Sequence, residues 1–98
     1  MESEIEKTRK LLEKLNEKHT FSPGDLVRWK PGLKNKRFPK YDAPALVACV
    51  LAEPVLDPTN ASGSPYFREP LDLILCHMDA DEDMLFLYYD SRRFEPVV

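Results

Sequence analysis

Apolar residues recur along this chain with two different periods. Over residues 3–18 Ile5, Leu11, Leu12 and Leu15 fall near one face, with spacings of seven from 5 to 12, three from 12 to 15 and four from 11 to 15, which predicts an amphipathic helix. Ser3 and Glu6 stand at capping-box spacing at its start. An isolated helix of this length is marginal in water, so its stripe needs a cover, either its own domain or a second chain. After Ser22-Pro23-Gly24 the period shortens. Residues 25–30 alternate, with Leu26 and Arg28 on one face and Val27 and Trp29 on the other, which predicts a first strand. Residues 45–52 are apolar on both faces and predict a central, buried strand. A third strand covers 71–78, with Leu71, Leu73 and Leu75 opposite Ile74, Cys76 and Met78. The turn 79–83 leads to a return strand over 84–89, and a short turn over 90–93 precedes a last strand over 94–98.

Two long connections interrupt this series. One runs from Pro31-Gly32 to Pro39; the other, 54–66, holds Pro54, Pro58 and Pro65 around a Ser-Gly-Ser. The expected organisation is a helix in residues 1–20 and a mainly β unit in residues 21–98. A chain of 98 residues supports one core, and 43% hydrophobic with 32% charged residues is an ordinary globular balance. Nothing in it reaches the roughly 20 apolar residues of a spanning helix. The charged N-terminus is unlike a secretory signal, so a cytoplasmic location without membrane attachment is expected. Cys49 and Cys76 then read as buried, reduced thiols.

Charge changes the picture more than composition does. The net charge of −3 hides a polarised chain, since residues 21–41 set six cations against Asp25 while residues 68–98 carry eight acids and three arginines. The cations Arg28, Lys30, Lys34, Lys36, Arg37 and Lys40 are interleaved with Trp29, Phe38 and Tyr41. Such a set suits an acidic protein surface, with arginine and aromatic anchors. It also suits nucleic acid, with phosphates on the cations and bases on the rings. Its bland alternative is a solvated loop whose rings close the core. Tyr66, Phe67 and Arg68, flanked by Pro65 and Pro70, form a second candidate contact, because adjacent aromatics on one strand cannot both point inward.

Other clusters carry less. Asp90 suits a cap for the turn holding Arg92 and Arg93. The acids Asp79, Asp81, Glu82 and Asp83 lack the glycine and distal glutamate of an EF-hand loop and read as a hairpin turn. Cys76 and adjacent His77 point to opposite faces of a strand, so with Cys49 they make no zinc site. His19 stands alone near the helix end. No metal and no cofactor is expected. The two histidines lack a nucleophile–base signature, and three glycines make no phosphate loop, so no enzymatic activity is expected.

The strand order, with long first and second loops, a tight third hairpin and a helical turn before the last strand, resembles that of SH3-like barrels, the group including KOW and Tudor modules and small bacterial relatives. The residues that carry the resemblance are Phe21-Ser22-Pro23-Gly24-Asp25-Leu26-Val27 and Asp90-Ser91-Arg92-Arg93-Phe94-Glu95-Pro96. It implies a helix followed by a five-stranded barrel that binds peptides, proteins or RNA with its loops. The chain departs from KOW modules in having two long loops, and it has no clear aromatic cage. The combined expectation is a protein-interaction module acting through the basic aromatic loop. An RNA- or DNA-binding accessory protein using the same face is the second reading. A homo-oligomer joined through the helix is the third.

Overall fold

A computed structural model describes residues 3–56 and 69–97. The fold is mainly β with one N-terminal helix. Helix α1 is Glu4–Asn16, followed by strands β1 (Leu26–Trp29), β2 (Ala45–Leu56), β3 (Pro70–Met78), β4 (Met84–Tyr89) and β5 (Phe94–Pro96). A 3-10 turn, Ser91–Arg93, separates β4 from β5. Every strand expected from the alternation is present. The last is shorter than 94–98. Strand β2 continues through Pro54 to Leu56, where a loop was expected, with register shifts between Val47 and Cys49 and between Val50 and Val55. A proline that cannot donate to the ladder is tolerated at such an irregularity.

The five strands form one antiparallel sheet in the order β4-β3-β2-β1-β5. It is not closed as a barrel. Strand β4 is hydrogen-bonded to β3, and β5 to β1, but not to each other. Three residues ending at a proline without an N–H give β5 little ladder to offer. The two ends of the sheet meet instead through rings: Tyr89 of β4 meets Phe94 of β5 edge-on at 5.4 Å, and Phe94 stacks on its ladder partner Trp29 at 4.3 Å. With Val27, Val47, Leu73 and Leu75 these rings form the core.

The opening segment shows why its residues are needed. Gly24 has a φ of +93°, a left-handed conformation that glycine adopts freely. Its N–H donates to the Val47 carbonyl, and the Asp25 carboxylate accepts from the Ser22 N–H at 2.8 Å. The turn thereby staples the start of β1 to β2.

Helix α1 begins as its sequence indicates, with the Ser3 hydroxyl accepting from the Glu6 N–H at 3.2 Å. The Glu6 carboxylate turns to Arg9. The helix ends two residues short of the expected 18. It lies against its own domain: Leu11 and Leu15 are half-buried, while Ile5 and Leu12 face solvent. Leu11 fits over Gly32, where an added Cβ would stand 2.6 Å from the leucine Cδ2.

Candidate functional site

Strand β1 delivers Arg28, Trp29 and Lys30 to three different environments. Trp29 is buried, and its Nε1 donates to the Pro39 carbonyl at 2.5 Å, which draws the long loop back over the core. Lys30 is only 3% exposed. Its ammonium reaches the end of α1 and donates to the carbonyls of Lys14 and Glu17. A cation there adds a charged donor to carbonyls at the helix end, of which that of Lys14 also accepts from the Glu17 N–H, and complements the helix dipole. Burial pushes the Lys30 pKa below its ordinary value, and the charges of Glu17, Glu95 and Asp90 act the other way. Arg28 points to the opposite face and pairs with Glu95 of β5 at 2.8 Å.

The rest of the basic segment divides in the same manner. The Lys34 ammonium donates to the Lys36 and Arg37 carbonyls and stands 6.0 Å from the Trp29 ring centre. It folds the loop onto the core. Lys36 is half-buried, while Arg37, Phe38, Lys40 and Tyr41 are exposed. Phe38 lies 6.2 Å from the His77 ring, on the core side of the sheet. The nine expected contact residues of this segment therefore do not form one surface. Trp29 and Lys30 are withdrawn into the fold because each has a backbone carbonyl to satisfy there. Tyr66, Phe67 and Arg68 lie outside the described residues.

A second cluster anchors the 3-10 turn. The Asp90 side chain accepts from the Arg92 N–H at 3.0 Å, as a cap does, and also holds the Arg92 guanidinium. That pairing raises the Arg92 pKa. Arg93 binds Glu69 and the Leu33 carbonyl, and Asn35 donates to the same glutamate at 2.7 Å. Asp72 accepts from both the Ser91 N–H and its hydroxyl at 2.8 Å. A cleft of about 460 Å³ opens above this cluster, with His19, Phe21, Asp72, Asp90 and Ser91 among its walls. Its carboxylates already serve the turn, so the cleft presents few unengaged acceptors.

The acidic turn is a closed hairpin. One Asp79 oxygen accepts from the Asp81 and Asp83 N–H groups, both at 2.9 Å, and Glu82 takes a φ of 64°. Among the described residues no three histidine, cysteine or acidic side chains converge as metal ligands would. His77 and Tyr89 form a small polar island, 3.3 Å apart. Burial pushes the His77 pKa down and that of the Tyr89 hydroxyl up to about 12.

A further exposed feature lies on the outer face of the sheet. Residues paired across antiparallel strands share a face. One outer row therefore runs Leu26, Leu46, Cys76 and Phe86 across four strands; Ile74 with Tyr88 and Met78 with Met84 lie beside it. Met78 is 70% exposed, Met84 62% and Phe86 58%, and Leu26, Leu46 and Tyr88 are exposed as well. Cys76, expected to be buried, is a half-buried free thiol in this row, its Sγ donating to the Leu46 carbonyl; Cys49 is also half-buried and free. Strand β2 is central, but the burial expected on both its faces is found on one. The signal in the sequence was β4 itself: Met84-Leu85-Phe86-Leu87-Tyr88-Tyr89 has no charged residue on either face.

No protein-family model, curated protein or solved structure matches the chain. Among the described residues no helix is long and apolar enough to cross a membrane.

Proposed function

We propose that the chain is a non-enzymatic protein-interaction module built on an open sheet with an SH3-like strand order. What supports the SH3-like likeness is the strand order β4-β3-β2-β1-β5, with a tight β3–β4 hairpin and a 3-10 turn ahead of β5. The observation that carries the function is the apolar outer face, because an exposed patch of this kind marks an interaction surface more often than a solvated one. At its β1 end the face is bordered by Arg28 and Tyr41, which share a small hollow with Pro44 and Val97. The occupant that fits is a protein segment whose apolar side chains cover Leu26, Leu46 and Phe86 and whose flanking acid meets Arg28. Charge complementarity at such a rim fixes orientation. The basic loop, with Trp29, Lys30 and Lys34 engaged in the fold, contributes Arg37 and Lys40 at most as a steering field.

A photo-crosslinking side chain placed at Leu46 and, separately, at Lys40 tests this in native lysate. The expected result is a discrete protein adduct from position 46 that disappears in Leu26→Asp. Adducts from position 40 alone would return the contact to the basic loop. No adduct from either position would remove the reading.

A further inference from the structure

The two edges of the sheet are built differently. Strand β5 is short and carries Glu95 and Pro96, both of which discourage another strand from adding to it. Strand β4 has none of these devices. It is six residues long, uncharged, free of proline and without a register shift against β3. Its side chains are exposed on both faces: Met84, Phe86 and Tyr88 on the outer side, Leu85 and Leu87 on the other. An apolar edge strand to whose outer side no described segment is paired is a template for a further strand.

We propose that β4 pairs antiparallel, edge to edge, with β4 of a second copy of this chain, about a two-fold axis at Leu87. A two-fold axis normal to the sheet is the symmetry that joins identical antiparallel edges, and it sets one residue opposite its own copy. Phe86 and Leu87 are the two central residues of β4. Aromatic pairing selects between them: with Phe86 on the axis a single Phe86–Phe86 pair forms, whereas with Leu87 on the axis Phe86 faces Tyr88 of the second copy, an aromatic cross-strand pair made twice. Both apolar outer faces lie on the same side of the joined sheet, and they form one continuous platform. Helix α1 offers a poorer seam, since Ile5 and Leu12 are its only strongly exposed large apolar side chains. This pairing does not depend on what docks on the outer face.

Analytical ultracentrifugation over a concentration series, up to the order of 100 micromolar to allow for a small interface, is the test. The expected mass approaches twice 11.4 kDa. Phe86→Lys/Tyr88→Lys sets like charges opposite each other in this register and is expected to weaken the dimer about tenfold, while Ile5→Asp/Leu12→Asp leaves it unchanged. Circular dichroism checks that each variant is folded. Independently, Leu87→Cys in a Cys49→Ala/Cys76→Ala background is expected to join two chains through a short bifunctional thiol reagent, and Leu85→Cys is not. A monomeric mass throughout would overturn the proposal. So would a dimer lost only in the helix variant, one retained by the folded double-lysine variant, or cross-linking at 85 without 87. Should the double-lysine variant unfold, the cross-linking pair decides.

Discussion

On one face of the sheet Leu73, Leu75, Trp29 and Phe94 are shut away from water; on the other, Leu46, Met78, Phe86 and Tyr88, of much the same size and chemistry, are open to it. The side chains do not make this difference. Its source is what the rest of the chain lays over each face. The inner face is roofed by the long loop, pinned through Trp29 to Pro39 and through Lys34 to its own backbone, and by the 3-10 turn with its Asp90 and Glu69 bonds. No described segment roofs the outer face. An apolar strand face is thus core or contact surface according to which polar anchors elsewhere hold a cover in place.

The contrast has measurable consequences. Leu75→Ala removes side-chain volume from a fully enclosed site and is expected to cost about 2–5 kcal/mol in denaturant unfolding. Leu46→Ala, two-fifths exposed on the outer face, is expected to cost less than about 1 kcal/mol. Equal losses would erase the distinction between the faces. Next in size is Lys30→Met, which takes the ammonium from the end of α1. Loss of charge-assisted hydrogen bonds of this kind costs about 1.5–3 kcal/mol. Hydrogen exchange should show residues 4–16 losing protection while β3 keeps it.

The smallest effect is pH dependence on the inner face. Burial lowers the His77 pKa in the folded state, so just below the ordinary value of 6.5 the unfolded chain holds the extra proton. Stability therefore rises with pH through that window and falls on acidification below it. His77→Gln is expected to flatten this part of the stability–pH profile relative to the parent protein. A profile unchanged by the substitution would mean that His77 titrates as it does in water.

Local features of the fold were legible in the residues because local physics sets them. Alternation placed Leu71, Leu73 and Leu75 on one face, Ser3 and Asp90 announced their caps, and the acids after Met78 made a turn. Longer-range features were not. Alternation separates two faces but cannot say which is covered when both are apolar, as in residues 45–52. The basic run looked like one surface because sequence shows charge without showing destination. Lys30 finds helix carbonyls and Lys34 finds loop carbonyls, and both meetings depend on a chain path that spacing does not encode. The β2 irregularity that admits Pro54 is likewise a property of pairing with β3.

Gly32 has a wider meaning for how the helix is held. Its φ of +84° and the Leu11 methyl resting where a side chain would begin make that glycine a socket. The helix supplies Leu11 to it, lays half-buried Leu15 against the domain and gives two terminal carbonyls to a buried ammonium; its other side chains are addressed to water. The seat of α1 is thus specified by the segment that receives it. The solvent-facing positions of the helix are left open to change, provided the spacing from Leu11 to Glu17 is preserved.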